Sequence, residues 1–124
     1  KFAVEGFSES LRLEMLPYGV HVVLIEPGSY KTDIWSKGLG AVTIHPNSPY
    51  AKEMKAILKY VNQVADTAPA PDEVIRQIVQ VAKSPYPKLR YPVGKGVKLG
   101  IVLKHVLPWK WWERMVTKRL WEGK

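Results

Sequence analysis

The sequence contains no cysteine, so disulfide bonds and thiolate chemistry are excluded. That composition suits a reducing compartment without proving one. There is also no run of about 18 uncharged apolar residues, so the sequence predicts no membrane-spanning helix. The three histidines, His21, His45 and His105, are scattered without the spacing of metal ligands, and we predict no metal site.

A glycine-rich phosphate loop and a helix start signal are missing as well. Gly38-Leu39-Gly40 does not directly follow a predicted strand, and the glycines between residues 94 and 100 have the wrong context for such a loop. The segment from Lys1 to Arg12 has helical composition, yet no Ser, Thr, Asp or Asn cap precedes it. We therefore expect a chain that begins inside a helix of a larger domain.

Acidic residues are scarce in the last third of the chain. Residues 1–82 carry 8 basic and 9 acidic side chains, a net charge of −1, whereas residues 83–124 carry 11 basic and 2 acidic side chains, a net charge of +9. Such an asymmetry marks either contact with phosphates or anionic lipid headgroups, or a solvated surface. The sequence leaves both interpretations open.

Helical and extended segments alternate along the chain, which favours an α/β fold. An apolar run from Val20 to Ile25, with apolar residues at consecutive positions, predicts a parallel strand covered on both faces. Leu89–Gly94 predicts a short edge strand, because Pro92 lacks a ladder donor. The remaining predictions are a helix over 1–16, a long loop over 29–48, a helix over 49–65, a helix from Pro71-Asp72-Glu73 to Pro85, a helix from Gly96 to Leu107 and a final helix from Pro108.

Two apolar stripes are predicted to be buried or to form close helix contacts. They are Ala3, Phe7 and Leu11, with Gly6 and Ser10 beside them, and Val74, Ile78, Val81 and Ala82. One strong and one weak strand cannot close an α/β core, because sheets of fewer than three strands are rarely stable in water. We therefore expect further strands upstream.

Several segments, in order and spacing, resemble the short-chain dehydrogenase/reductase family. In that family a Tyr-x-x-x-Lys motif continues along its helix as K-x-x-x-x-G-[FL]-[ST]-x-x-[LA]-[RA], and the next strand ends in Pro-Gly with a Thr four residues after the Gly. The matching residues are Lys1, Gly6, Phe7, Ser8, Leu11, Arg12, Pro27, Gly28 and Thr32. Lys88–Gly94 looks like the family's last strand, so the resemblance covers at least residues 1–94.

The resemblance implies an NAD(P)-dependent oxidoreductase that transfers a hydride between NAD or NADP and a small alcohol, ketone or aldehyde. Lys1 would be the catalytic lysine that lowers the pKa of an upstream tyrosine and binds the nicotinamide ribose. Pro27 and Gly28 would turn the chain beside the cofactor. Ser29 and Tyr30 would line the nicotinamide with their backbone, and Thr32 would bind the carboxamide or diphosphate. A plain Pro-Gly turn and a Thr cap are the structural alternatives.

Tyr30 departs from the family's commonest pattern, which has Val or Ile there, and it could instead shape the substrate side. Trp35, Met54 and Leu58 are candidate walls of a substrate pocket, with simple packing as the alternative. The catalytic Tyr and Ser, the glycine-rich loop and the residue that selects NAD or NADP would all lie upstream. We therefore expect the 124-residue chain alone to be inactive.

The predicted fold class is α/β, the C-terminal half of a Rossmann-like doubly wound parallel sheet that is incomplete in this chain. Residues 1–107 would form the C-terminal part of the NAD(P)-binding domain, and residues 108–124 a basic, Trp-rich amphipathic helix. The resemblance also implies a cytoplasmic homo-oligomer that pairs through helix 1–16. The alternative function is a membrane-surface binding module, with peripheral contact through residues 104–124, where Trp alternates with Lys and Arg. We expect no nucleic-acid partner.

Overall fold

A computed structural model describes residues 2–121 of the chain, apart from the side chains of residues 119–121. Within this part the chain forms six α-helices and two strands. In chain order they are α1 (Phe2–Met15), β1 (Leu24–Pro27), α2 (Asp33–Gly40), α3 (Ala51–Thr67), α4 (Asp72–Ala82), β2 (Arg90–Val93), α5 (Val97–Val106) and α6 (Trp109–Trp121). The chain divides into two compact units, one made of residues up to Gly28 with Asp72–Lys98, the other of Ser29–Pro71 with the chain from Leu99 onward.

Helix α1 agrees with the helix predicted over residues 1–16. It passes into a 3-10 turn at Leu16–Tyr18, and Gly19 ends that turn with φ 72°, a left-handed conformation that glycine adopts without strain. Of the predicted apolar stripe, Leu11 is half-buried, whereas Ala3 and Phe7 are exposed. The stripe therefore has only a partial partner within the described residues.

The first unit contains a two-stranded parallel sheet. β1 pairs with β2 in the register Leu24 to Arg90 through Pro27 to Val93, and Val93 is buried. Pro92 lies in this two-stranded sheet, where a missing ladder donor is tolerated at an edge. The structure thus confirms an α/β chain with a parallel pair of strands.

The predicted strand Val20–Ile25 is displaced toward its carboxyl end. The ladder begins where Leu24 N donates to Leu89 O (2.7 Å), and β2 is only four residues long, so Val22 and Val23 have no strand beside them. The Val22 carbonyl instead accepts a hydrogen bond from Arg12. These valines are half-buried rather than covered on both faces, because pairing follows the partner strand and not the apolar run.

Arg12 joins three segments of the first unit. From the last turn of α1, Nη1 donates to Val22 O (2.5 Å) and Nη2 donates to Pro87 O (2.6 Å). These carbonyls precede β1 and β2 and lie outside the strand ladder. One guanidinium therefore links the end of a helix to the segments that lead into both strands.

Helix α4 begins at Asp72, as predicted, and contacts both strands. Val74 and Val81 are half-buried, but Ile78 and Ala82 are exposed, so the prediction of a four-residue buried stripe is wrong in part. The reason is the size of the surface opposite, because two four-residue strands cover only part of an eleven-residue helix.

The prediction of a loop over residues 29–48 is wrong for Asp33–Gly40, which form α2. Trp35 and Leu39, one turn apart, are its half-buried positions, and Asp33 lies in its first turn, where a carboxylate interacts favourably with the helix dipole. Gly38 and Gly40 lower the helix propensity of this segment and hid the helix in the sequence.

Helix α3 begins at Ala51, two residues later than predicted, so Pro49 precedes the helix instead of lying in its first turn. A turn centred on Ser48 replaces that first turn: Ser48 Oγ accepts from Tyr50 N (3.2 Å), and Ser48 O accepts from Ala51 N (3.0 Å). Helices α5 and α6 lie where the sequence predicts them, and α6 packs against α3.

None of the helices in residues 2–121 has both the length and the apolar character needed to cross a bilayer.

Candidate active site

The candidate site starts at the carboxyl end of β1. Gly28 N donates to Val93 O (3.0 Å), which extends the parallel ladder one residue past Pro27. Open α/β sheets bind their ligands at the carboxyl ends of their strands. The turn predicted at Pro27 and Gly28 therefore lies at an edge where such ligands bind.

Glycine is required at position 28 because the Val97 side chain lies close to its Cα. A Cβ added at this position would lie 2.9 Å from Cγ2 of Val97 and 3.7 Å from the Val93 carbonyl oxygen. The first distance is shorter than a normal carbon contact, and the β-branched Val97 side chain has little freedom to move away. The Val97 side chain thus leaves no room for a Cβ at position 28.

The segment that follows, from Ser29 onward, is held by one backbone and one side-chain hydrogen bond within the second unit. Lys31 N donates to Pro69 O (2.8 Å), and the Trp35 indole Nε1 donates to the Tyr30 carbonyl (2.7 Å). The Tyr30 side chain is only 6% exposed, whereas Ser29 is exposed. Tyr30 and Trp35, two of the predicted site residues, are therefore in direct contact.

Thr32 occupies the N-cap position of α2 without capping it. Its backbone is extended (φ −146°, ψ 163°), its side chain makes no capping hydrogen bond, and the residue is exposed. Its carbonyl accepts a hydrogen bond from Trp35 N (3.2 Å). The alternative in which Thr32 simply caps the next helix is therefore wrong, and its hydroxyl is not used in the α2 cap.

The two other candidate pocket residues lie on α3. Met54 and Leu58 are four residues apart, so they share one face of the helix, and both are half-buried. Trp35 is also half-buried and is oriented by its bond to Tyr30. Their role as pocket walls stays a prediction.

Lys1, the predicted catalytic lysine, lies outside the described residues. The helix that follows it, α1, is held to the sheet by Arg90. Nη2 of Arg90 lies 2.8 Å from Glu9 Oε1 and 3.7 Å from Glu5 Oε2, and Nε lies 3.2 Å from Glu26 Oε1. Glu26 immediately precedes Pro27, so one guanidinium ties α1 to the strand that ends in the candidate site.

The hydrogen bond to Glu9 is the main cause that raises the pKa of Arg90, with smaller contributions from the charges of Glu9, Glu26 and Glu5. Partial desolvation of the guanidinium acts in the opposite direction and is outweighed. Since the folded-state pKa is raised, this stabilisation is complete below the ordinary arginine pKa and is lost only when the pH rises through the folded-state value. Arg90 therefore keeps its charge throughout the ordinary pH range.

We expect Arg90→Met to lower the free energy of unfolding by about 1–2 kcal/mol, because three part-exposed ion pairs are lost and three neighbouring carboxylates then repel one another. Urea denaturation of Arg90→Met, Glu9→Gln and the double variant measures the coupling of the pair. Glu14→Gln, an exposed acid on the same helix, is the matched control. If the stability losses of Arg90→Met and Glu9→Gln simply add in the double variant, as those of Arg90→Met and Glu14→Gln should, the ion-pair interpretation is contradicted.

The sequence patterns did not indicate the structural roles of Arg12 and Arg90. Glu5 and Glu9 are one turn apart, a spacing that indicates a single acidic face on α1, but their partner is 81 residues away from Glu9 along the chain. Only the pairing of β1 with β2 brings Arg90 to that face. Among residues 2–121, no group of three or more histidine, aspartate or glutamate side chains could hold a metal ion.

The chain is similar in sequence to several known proteins. The uncharacterized oxidoreductase YusZ of Bacillus subtilis is 46% identical over 97% of this chain and 44% of its own length. The probable short-chain type dehydrogenase/reductase VdlC of Helicobacter pylori is 35% identical over 93% of this chain and 42% of its own length. The NADPH-dependent 3-dehydrocapnine reductase of Ornithobacterium rhinotracheale is 30% identical over 95% of this chain and 40% of its own length.

No protein-family model matches the chain. The chain spans about two fifths of the length of the three relatives, while they match it along 93–97% of its residues. The matches therefore include both the parallel pair of strands and the turn at Pro27 and Gly28. This chain belongs to the short-chain dehydrogenase/reductase family.

Proposed function

We propose that the chain is part of an oxidoreductase with a Rossmann-like doubly wound sheet, to which it contributes one side of a nicotinamide site. The observation that carries the proposal is the turn at Gly28, where a parallel strand ends and a Cβ would collide with Val97. The contact between Gly28 and Val97 fixes the course of the chain at the carboxyl end of a parallel strand, where open α/β sheets bind their ligands. One relative is named as NADPH-dependent, which supports a nicotinamide cofactor, NAD or NADP.

The chain's own residues bind and orient in this proposal. The backbone of Ser29 and Tyr30 would line the nicotinamide, and the Trp35 indole would hold that backbone through its hydrogen bond to the Tyr30 carbonyl. The Thr32 hydroxyl makes no capping bond in α2. It would donate a hydrogen bond to the carboxamide oxygen or to a diphosphate oxygen of the cofactor. When bound, the cofactor supplies or accepts the hydride.

Lys1 would provide the positive charge of the site. An ammonium beside the upstream tyrosine would lower its pKa from about 10 and so ease proton transfer to or from the substrate oxygen. Helix α1, which begins one residue after Lys1, is anchored by Glu5 and Glu9 to Arg90. That anchor would hold the lysine in a constant position relative to the end of β1.

The substrate would be a small alcohol, ketone or aldehyde, with Trp35, Met54 and Leu58 as candidate apolar walls. The half-buried state of all three supports this role, since a wall residue needs one covered and one open side.

Pairing of two copies through helix 1–16 also stays a proposal. The exposed Phe2, Phe7 and Leu13 on α1 support it, because apolar surface of this kind favours association.

The direct test is an assay of the whole encoded protein with NADH and NADPH against a panel of small ketones and aldehydes. We expect oxidation of one cofactor that depends on the carbonyl substrate, and a tyrosine encoded four residues before Lys1. The 124-residue chain alone should show no turnover, because catalytic groups that act as a unit lose nearly all activity when some are missing. A whole protein that binds neither cofactor would refute the proposal.

In the same assay, Thr32→Val should raise KM for the cofactor about tenfold, the loss expected from one hydrogen bond to a polar or charged group. Thermal stability should not change, since the Thr32 hydroxyl makes no capping bond. Thr43→Val, at an exposed position outside the helices, is the matched control. An unchanged KM in Thr32→Val would refute the hydrogen bond to the cofactor, and a fall in Tm would show that the hydroxyl has a structural role.

A further inference from the structure

Helix α6 carries two adjacent rows of exposed side chains with different chemistry. Lys110, Arg114 and Lys118 recur every four residues and are all exposed. Trp111 and Met115 form the neighbouring row, with 65% and 45% of their surface exposed. Residues four apart lie above one another on a helix, so a cationic row runs alongside an apolar row.

Helix α6 also has a residue that is partly covered. Trp112 is half-buried, and α6 contacts α3 within the second unit. The Trp109 indole Nε1 donates to the Glu113 carboxylate. The two rows of Lys110, Trp111, Arg114, Met115 and Lys118, which we call the basic-aromatic face, contain only exposed side chains.

We propose that the basic-aromatic face binds the surface of anionic membranes. Lys and Arg gain electrostatic energy near a negatively charged leaflet, and Trp side chains prefer the headgroup level of a bilayer. With 13 residues, α6 is too short to cross a hydrocarbon core that requires about 20, so it would lie in the plane of the interface. The net charge of +9 over residues 83–124 adds long-range attraction of the same sign.

Charge complementarity also argues against other occupants. A second copy would place its own cationic row against Lys110, Arg114 and Lys118, which repel it. A nucleic acid would satisfy the cations, but its phosphates would not cover Met115 and its bases stack on aromatic platforms rather than on aliphatic thioethers. An anionic lipid surface offers headgroup phosphates and acyl carbon at once, and so matches both rows.

The test is sedimentation of the whole encoded protein with vesicles of equal parts phosphatidylcholine and phosphatidylserine, compared with phosphatidylcholine alone. We expect binding to the anionic vesicles that weakens as salt increases, because salt screens surface charges. The triple variant Lys110→Gln, Arg114→Gln, Lys118→Gln should lose about a hundredfold in partition coefficient, at roughly fivefold for each cation. Trp111→Ser with Met115→Ser should lose about tenfold.

Matched control variants distinguish binding through the basic-aromatic face from binding that depends only on total net charge or on any exposed apolar side chain. Lys52→Gln, Lys55→Gln, Lys59→Gln removes the same charge from exposed positions of α3, and Leu13→Ser removes an exposed apolar side chain from α1. Both should bind vesicles within about twofold of the unaltered protein, because salt screens the long-range attraction of charges outside the binding face. Circular dichroism verifies that each variant keeps its helix content.

Several results would overturn the proposal. They are no binding to anionic vesicles at low salt, equal binding to neutral vesicles, and equal losses from the α3 and α6 triple variants. Binding to single-stranded RNA that survives Trp111→Ser with Met115→Ser, without vesicle binding, would assign the cations to nucleic acid. The test uses no cofactor or substrate, so its outcome is independent of the proposed oxidoreductase activity.

Discussion

Replacing Arg12 with methionine is expected to lower the free energy of unfolding of the whole encoded protein by about 3 kcal/mol. The variant loses two hydrogen bonds from a charged donor, to Val22 O and Pro87 O, each worth about 1.5–3 kcal/mol. Methionine keeps much of the aliphatic length, so packing changes little. Small domains have only about 5–15 kcal/mol of total stability, so the loss is a large part of it.

Urea denaturation followed by circular dichroism measures the effect. Arg76→Met, on the exposed side of α4, is the matched control and should change stability by less than about 0.5 kcal/mol. Arg12→Lys should recover part of the loss, since one ammonium can reach one carbonyl but lacks the fork of a guanidinium. Equal effects of Arg12→Met and Arg76→Met would show that the two bonds add nothing to stability.

Replacing Gly28 with valine should destabilise the chain by about 3 kcal/mol, at the upper end of what overpacking usually costs. The new Cβ would meet Cγ2 of Val97 at 2.9 Å, and its methyl groups would crowd the same region. Relief of that contact requires movement of the backbone, which would also lengthen the bond from Gly28 N to Val93 O. Gly28→Ala should show about half of the effect.

Gly38→Ala is the control, because no atom lies within 4 Å of a Cβ added there and alanine favours the α2 helix. We expect it to raise stability by about 0.5–1 kcal/mol, the difference in helix propensity. The proposed function further predicts that Gly28→Val in the whole encoded protein weakens cofactor binding more than its stability loss explains. A Gly28→Val chain as stable as the unaltered one would refute the close packing of this turn.

Sequence patterns predicted element types well where local signals agree. The Pro71-Asp72-Glu73 start, the stop at Pro17 to Gly19 and the start at Pro108 each lie within about two residues of a helix boundary in the structure. The pattern failed over Asp33–Gly40, where two glycines weaken the helix signal and the Trp35 bond to Tyr30 O is invisible in the sequence. The apolar run also predicted a strand at Val20–Ile25, whereas β1 is Leu24–Pro27, because a strand extends only as far as the partner strand that pairs with it.

The candidate site divides in the same way. The order of Pro27, Gly28 and Thr32 could be read from the sequence through the family resemblance, and the relatives confirm the family. The reason for glycine at position 28 could not, because Val97 lies 69 residues further along the chain. Nor could the uncapped state of Thr32 be predicted, since the same residue type commonly caps helices.

The sequence by itself determined the family, the helical and extended segments with clear start and stop signals, and the concentration of positive charge after residue 82. These depend on local composition, spacing and order. The tertiary structure decided which carbonyls Arg12 links, which carboxylates surround Arg90, and which side of α6 remains exposed. Those properties depend on residues that are distant along the chain and adjacent in space, and only the paired strands and packed helices bring them together.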